Sequence, residues 1–333
     1  MMTKKLMVYF LILMLTAYPA SAGDVSLSRW VLNVTLDENG VVEVIIQAEL
    51  QNPGPSALEG FSFTVPFSVT IDTEQSTGTT ISDNGDMKFN TPAVKQETVT
   101  GGASIIVTFD KPVEAGKRWS GRIGYKSEKI ATKDNTGYSL SVPVNAPMAI
   151  ISGKDVKTSP PADPDIRAQV FLPKSYELIS VQPEPFKKMF QYGRMVPTWT
   201  PEKLHIGDTI SVKVSYSDVL AKIVENDDMA RKLKESIRDA KNIGKTVSEA
   251  ETYLANGNEN NSKAFASFGG KNYPVALQYA GFSNDDLVMA ENSLTGTTAE
   301  EMPKATEKSP GFEAYVLGFA LLITFLIQKK RST

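Results

Sequence analysis

Apolar and polar residues alternate with a period of two through much of the chain up to residue 216. The first such stretch has a turn at Asp37-Glu38-Asn39-Gly40 between two sets of alternating apolar positions: Trp30, Leu32, Val34 and Leu36, then Val42, Val44, Ile46, Ala48 and Leu50. This pattern predicts a β-hairpin. Further short alternations, separated by Pro, Gly and Asn turns, continue up to residues 210–216. The sequence therefore predicts a mainly β fold of antiparallel, immunoglobulin-like β-sandwich modules.

The spacing of the predicted strands changes near residue 128. Beyond it, Tyr138, Leu140 and Val142 alternate, and a Pro-rich stretch follows at residues 159–164. We therefore divide this part of the chain into two β-sandwich modules, residues 23–127 and 128–217. A single long sandwich over both ranges is the competing interpretation.

The period changes from two to about 3.6 after Ser217. Asp218 is a good helix cap, and an apolar stripe follows at Ala230, Leu233, Ile237, Ala240, Val247 and Leu254. A polar break at residues 256–261 precedes a second stripe at Leu287, Ala290 and Leu294. Residues 218–294 are thus predicted to form a membrane-proximal α-helical hairpin, followed by a flexible linker or stalk at 295–309.

The N-terminus has the three parts of a secretory signal peptide. Lys4 and Lys5 precede an apolar run, and the small residues Ala20-Ser21-Ala22 precede Gly23. This pattern predicts that residues 1–22 are removed by cleavage between Ala22 and Gly23. An uncleaved anchor is the alternative, but the apolar run is shorter than the ~20 residues of a stable span. Both interpretations export the rest of the chain.

The C-terminal segment, residues 310–333, combines a short motif, an apolar run and a basic tail. Pro310-Gly311-Phe312 and Glu313 begin about sixteen mostly apolar residues, which end before Lys329-Lys330-Arg331. A single hydrophobic helix of this length is short for a ~30 Å hydrocarbon core. The basic tail predicts a cytoplasmic end and therefore an external body.

This order of features resembles the PGF-CTERM sorting signal of archaeal surface proteins. The resemblance is confined to residues 309–331. It implies recognition of Pro310, Gly311 and Phe312 by an archaeosortase-like enzyme, removal of the tail and its replacement by a lipid. A processed segment need not satisfy the length rule for a permanent span. A plain single-pass tail anchor is the alternative.

The composition excludes several classes of function. The 333 residues contain no cysteine and one histidine, and the formal net charge is −3 at pH 7. Disulfides and thiolate metal sites are therefore excluded, and so are the common zinc sites. The small negative charge gives no indication of nucleic-acid binding.

No catalytic or metal-binding constellation is recognisable in the sequence. His205 and Asp208 are not accompanied by a Gly-x-Ser-x-Gly motif. The acidic stretches at residues 83–86 and 225–228 lack EF-hand spacing, and they are better explained as a turn and a helical surface. We therefore expect no catalytic residue, no metal and no cofactor.

Two sequons and several aromatic residues suggest contacts with glycans. Asn33 and Asn260 begin Asn-x-Ser/Thr motifs. Asn33 is predicted to face solvent because Leu32 and Val34 face the opposite side of the strand. Asn260, in the polar break, is the better predicted acceptor. Aromatic candidates for binding surface glycans are Trp119, Trp199, Phe61 and Phe63, and a position in the core explains most of them equally well.

Together these features predict an archaeal cell-surface glycoprotein, exported and anchored at its C-terminus to the extracellular face of the membrane. Its expected role is structural, adhesive or binding, without catalysis. The expected partners are the membrane, the processing enzyme, and surface glycans or other envelope proteins, with no nucleic acid. The alternative is an accessory subunit of a membrane enzyme complex, retained by an intact C-terminal transmembrane helix, and an enzyme ranks third.

Overall fold

The computed structural model describes residues 25–159, 164–191 and 193–295. Over these residues the chain forms the following strands and helices in order: β1 (Ser26–Leu36), β2 (Val42–Gln51), β3 (Leu58–Val65), β4 (Thr70–Ile81), β5 (Met87–Phe89), β6 (Ala93–Val99), β7 (Gly102–Val113), β8 (Arg118–Ser127), β9 (Ala131–Lys133), β10 (Gly137–Pro143), β11 (Met148–Ile151), β12 (Lys154–Lys157), β13 (Asp165–Phe171), β14 (Tyr176–Gln182), β15 (Lys187–Gln191), β16 (Arg194–Trp199), β17 (Thr209–Tyr216), α1 (Asp218–Asn242), α2 (Ser248–Gly269) and α3 (Tyr273–Thr295). The predicted signal peptide, its Ala22/Gly23 cleavage point and the Pro310-Gly311-Phe312 segment lie outside the described residues.

The strands form three sheets, so the predicted mainly β character is confirmed. The orders are β15-β16-β13-β1-β2-β8-β4-β5 in an 8-stranded sheet, β12-β11-β3-β7-β6 in a 5-stranded sheet and β14-β17-β10-β9 in a 4-stranded sheet. The predicted first hairpin is present as β1 and β2, with Trp30 opposite Ala48 and Leu36 opposite Val42.

One strand pair departs from the antiparallel expectation. Strands β1 and β13 are parallel, with a register from Arg29↔Asp165 to Thr35↔Phe171. The 8-stranded sheet therefore contains strands from both sides of residue 127, and the ranges 23–127 and 128–217 belong to one compact unit. This pairing is long-range, so local alternation carries no signal for it.

Aromatic side chains from two sheets meet in the main core. Trp30 of β1 lies 5.5 Å from Phe63 of β3, measured between ring centroids, in an edge-to-face arrangement. Trp119 of β8 stacks on Phe109 of β7 at 4.7 Å. The two tryptophans are at most 1% exposed. These large rings bury much of the apolar area that stabilises the β part of the chain.

The buried side-chain amide of Asn52 links its own loop to the end of β7 by hydrogen bonds. Asn52 is 0% exposed, and its Nδ2 donates hydrogen bonds of 2.8 Å to the carbonyl oxygens of Ser56 and Val113. Gly54 donates its backbone N–H to the Asn52 Oδ1. The polar side chain is buried without penalty because its hydrogen-bonding atoms have partners.

The chain divides into two compact units, and each of the three helices contributes residues to both. Unit 1 contains the described residues up to Asp228 together with Asn261–Ala280, and unit 2 contains Met229–Asn260 and the described residues from Gly281 onward. In unit 1, Phe190 of β15 packs against a cluster of Leu220, Ile223, Val224, Ala264, Phe268, Ala276 and Ala280. Tyr273 donates its hydroxyl to Glu177 at 2.7 Å. Strand and helix residues of unit 1 thus share a core.

The helical region has three helices within the described residues, whereas the sequence predicted a hairpin of two. The turns lie at Gly244 (φ 81°) and Lys271 (φ 59°). The expected break at 256–261 lies inside α2, where these polar residues make contacts between helices. Ser283 donates its hydroxyl to the Gly257 carbonyl oxygen at 2.8 Å. The predicted apolar stripes do pack: Ala230 and Leu233 share a cluster with Leu287 and Ala290 in unit 2.

Among the described helices, none is long and apolar enough to cross a membrane.

Candidate ligand-binding face

Polar side chains cover the surface of the 8-stranded sheet opposite its core. Along β8, Trp119, Ile123 and Tyr125 are buried, while Arg118 and Arg122, at the alternate positions of the strand, are exposed. This is the alternation expected of a strand with one solvent-facing side. We call this surface the outer face.

Strand register brings side chains of the outer face into cross-strand rows. Arg122 of β8 is directly opposite Gln47 of β2 on one side and Thr77 of β4 on the other. In the next row, Ser120 is opposite Thr79, which is opposite Phe89 of β5. Cross-strand neighbours lie about 5 Å apart, so one ligand is able to contact several of them at once.

A cavity of about 590 Å³ opens on this face, lined by Arg29, Gln47, Ala48, Thr77, Gly78, Thr79, Phe89, Thr91, Ser120, Gly121 and Arg122. Strand β4 has a register shift between Asp72 and Thr77, and such irregularities bend a strand. The volume lies in the range of small-molecule sites.

The floor of the cavity consists of backbone above a buried indole. Gly78 and Gly121 are paired, and a Cβ on Gly78 would lie 2.5 Å from the Trp119 Nε1 atom. The same Nε1 donates a hydrogen bond to the Asn90 carbonyl oxygen at 3.1 Å. Glycine is required at Gly78 because the Trp119 ring occupies the place of a side chain.

The charges on the outer face differ in their pairing. Arg29 contacts Asp165 at 3.1 Å, whereas no described carboxylate lies within ion-pair distance of Arg122. Farther along β8, Lys126 contacts both Asp72 and Glu43, and its hydrogen bond lowers the pKa of Asp72. Arg122 therefore presents an unneutralised guanidinium group to a ligand.

The edge of the cavity is apolar and exposed. Phe89 is 90% exposed and Met87 is 71% exposed. Both lie on β5, the last strand of the sheet order. Exposed large apolar side chains beside polar groups are typical of interaction sites.

The aromatic residues for which the sequence left open glycan binding or core packing are buried, so the core alternative holds for them. Trp119, Trp199 and Phe61 are 0% exposed, and Phe63 is 4% exposed. They occupy the core-facing positions of their strands. Their Trp and Phe rings contribute to packing and do not reach the outer face.

The other candidate residues lie apart from the cavity. His205 is 71% exposed in a loop, with its Nδ1 atom 3.6 Å from Asp208. Residues 83–86 form a turn, with Gly85 at φ 87°. Among the described residues, no group of three or more His, Asp or Glu side chains is arranged to hold a metal ion.

The two sequons occupy different environments. Asn33 is partly exposed between the buried Leu32 and Val34, in agreement with the predicted orientation. Asn260 is not in a loop: it lies in α2, where its Nδ2 donates a hydrogen bond of 2.8 Å to Asp286.

Sequence reasoning missed Arg122, Gln47 and Phe89 because they come together only through strand register. The available signal was alternation: Arg122 lies between Gly121 and Ile123, on the side opposite Trp119. That pattern identifies an exposed side chain without identifying its neighbours.

Comparisons with known proteins reveal distant structural likenesses. No family model and no curated protein matches the chain. An M1 zinc metallopeptidase from Deinococcus radiodurans is 10% identical, with a TM-score of 0.33 over 58% of this chain and 42% of that one. A protein from Parabacteroides distasonis is 12% identical, with a TM-score of 0.36 over 81% and 60%.

A third likeness is to the family 3a carbohydrate-binding module from the cipA scaffolding of Clostridium thermocellum. It is 12% identical, with a TM-score of 0.25 over 38% of this chain and 96% of the module. The chain spans less than two thirds of the length of the metallopeptidase and of the Parabacteroides protein. Likenesses this weak carry no argument about activity or ligand.

Proposed function

We propose that this chain is a non-enzymatic archaeal cell-surface protein that binds acidic glycans on the outer face of its 8-stranded sheet. Its strands would form an immunoglobulin-like sandwich held outside the cell. The observation that carries the binding role is an unpaired, exposed Arg122 beside an exposed Phe89 in one cavity.

The residues around this cavity have the chemistry for an acidic sugar. The Arg122 guanidinium group is a fork of N–H donors that matches a carboxylate or sulfate group. Thr77, Thr79 and Ser120 add hydroxyl groups that donate and accept hydrogen bonds. Phe89 offers an apolar ring face for the C–H side of a sugar ring.

The location is supported by the two ends of the sequence. The basic, apolar and small-residue parts of residues 1–22 favour export. The Pro310-Gly311-Phe312 segment and the basic tail favour C-terminal processing and membrane attachment.

Glycan binding is tested with purified acidic and neutral envelope polysaccharides. We expect Arg122→Gln to lower affinity for the acidic polysaccharide about tenfold or more, because a charged hydrogen bond is lost. Arg118→Gln, on the same strand but outside the cavity lining, is the matched control. Phe89→Ala should also weaken binding, whereas Phe186→Ala, at a position 60% exposed elsewhere, should not.

Equal affinity of the Arg122→Gln variant and the unaltered chain for the acidic polysaccharide would exclude this face as the site. Stoichiometric co-purification of a membrane enzyme in mild detergent would favour the accessory-subunit alternative.

Membrane attachment is tested separately by intact-mass spectrometry of protein from the native host. Processing predicts a membrane-bound chain that lacks residues from about Phe312 onward and carries a lipid. Because one acyl chain gives only marginal binding, the lipid should have two long chains. A chain that ends at Thr333 without a lipid would show that the tail is an ordinary anchor.

A further inference from the structure

A row of basic side chains follows one side of α1 in unit 2. Arg231, Lys234, Arg238, Lys241 and Lys245 are spaced by three and four residues, and all are exposed. At 3.6 residues per turn this spacing places the helical members on one side. The first four line a groove of about 720 Å³ that also includes Ile237, Leu254 and Ala255. We call these five residues the basic stripe.

The stripe is only partly neutralised by neighbouring carboxylates. Arg238 contacts Asp239 at 3.5 Å, and Lys241 contacts Glu251 at 2.9 Å. Between residues 229 and 251 the other acidic residues are Glu235 and Glu249, while Arg231, which also has an interaction partner, follows Asp227 and Asp228 by one turn. Within the described residues, Lys234 and Lys245 have no carboxylate at ion-pair distance. The stripe therefore retains positive charge for an anionic partner.

An exposed aliphatic side chain lies beside this charge. Ile243, in the connection between α1 and α2, is 75% exposed, and it lies between Lys241 and Lys245 in the sequence. The following Gly244 turns the chain at φ 81°, and Val247 returns to the core. An exposed aliphatic residue flanked by cations is suited to the boundary between lipid headgroups and acyl chains.

Helix α3 ends beside the same loop. Leu294 packs against Ile237, Val247 and Ala250. The chain leaves this end of unit 2 after Thr295 and reaches the apolar run that begins near Phe312. About sixteen residues intervene, and an extended chain of that length spans at most ~55 Å.

We propose that the loop end of unit 2 contacts an anionic lipid surface through the basic stripe, with Ile243 entering the interface. This inference rests on the proposed membrane attachment. An acidic protein segment would also be attracted to the stripe, but it would not account for an aliphatic side chain exposed between two lysines. The lipid surface accounts for the charge, for Ile243 and for the position of the chain's exit.

The absence of cysteine from the sequence makes a direct test available. Ile243→Cys in the full chain gives a single labelling site for an environment-sensitive fluorophore. The protein is reconstituted into vesicles of equal parts phosphatidylglycerol and phosphatidylcholine that contain brominated acyl chains. We expect at least twofold quenching at position 243. The matched control is Ile179→Cys, an aliphatic position 53% exposed in β14, which should show no quenching.

The contribution of charge is measured in the same assay. Lys234→Gln with Lys245→Gln should reduce the equilibrium constant for lipid contact of the label about fivefold for each lysine replaced. The charge-matched control is Lys154→Gln with Lys157→Gln on β12, which should leave quenching unchanged.

Vesicle flotation separates this proposal from the proposed attachment. Protein that floats with vesicles while the label at 243 stays unquenched overturns the lipid contact and leaves attachment intact. Protein that does not float refutes the proposed attachment. In that case, quenching of the label at position 243 by added anionic vesicles still supports the lipid contact. Lack of quenching by those vesicles contradicts the lipid contact. Equal quenching in vesicles of phosphatidylcholine alone would also overturn the role of the basic stripe.

Discussion

Gly257 provides the sharpest test of the three-helix packing. It lies inside α2, where a Cβ would be 2.8 Å from the Leu287 Cδ2 atom and 2.9 Å from its Cγ atom. Leu287 is 0% exposed, so its side chain has little room to move. Gly281, in α3, has no atom within 4 Å of the corresponding position. Gly257→Ala and Gly281→Ala therefore make the same chemical change in a crowded and in an open place.

The two substitutions should change the free energy of unfolding by different amounts. In both variants, replacing a helical glycine by alanine raises the free energy of unfolding by about 1 kcal/mol through helix propensity. At Gly281 no contact opposes this gain. At Gly257, forcing a methyl group against Leu287 costs roughly 1–3 kcal/mol, as overpacking usually does. Gly257→Ala should therefore range from neutral to about 2 kcal/mol destabilising, and it should be about 1–3 kcal/mol less stable than Gly281→Ala.

Urea unfolding of the two variants and the unaltered chain, followed by the helical circular dichroism signal, measures this difference. Equal stabilisation by both substitutions would mean that α2 and α3 do not approach closely at Gly257. The original prediction of a polar break at residues 256–261 would then regain support.

Three further predictions follow from particular side chains. Asn52→Ala should lower the free energy of unfolding by about 2–4 kcal/mol, because buried carbonyl groups lose their donors, while Asn84→Ala at an exposed turn should change little in the same urea assay. The backbone N–H groups of Thr136 and Gly137 lower the pKa of Asp134 from 3.8 to about 2. Its stabilising contribution should therefore be complete above pH 4 and disappear as the pH falls through 2, so the stability difference from Asp134→Ala should vanish over that interval. Glycopeptide mass spectrometry should find Asn33 more occupied than Asn260, because the Asn260 amide is hydrogen-bonded within the helical bundle.

Much of the β architecture was predictable because its signal is local. Alternation identified β1, β2 and β17, and the Asn39-Gly40 turn located the first hairpin. The sheet order was not predictable in this way, since the pairing of β1 with β13 depends on residues far apart in the sequence. The prediction of a polar break at residues 256–261 was wrong for a different reason. Gly257 and the neighbouring asparagines have low helix propensity, but tertiary contacts with Ser283 and Asp286 outweigh it.

The candidate site was less predictable than the fold. The chemistry of the Trp and Phe residues fitted both glycan binding and core packing, and the structure places them in the core. Arg122 and Phe89 belong to strands that meet only through β4. A cavity assembled across strands in this way has no signature in any single stretch of the sequence.

The parallel pairing of β1 with β13 has a consequence for synthesis and folding of the chain. The hydrogen-bonded edge of β1 that receives β13 stays open until residues 165–171 have been made and delivered, although β1 can pair with β2 much earlier. Contacts of such high sequence separation fold slowly, and open strand edges pair readily with other chains. A nascent or truncated chain that stops before β13 is therefore expected to aggregate.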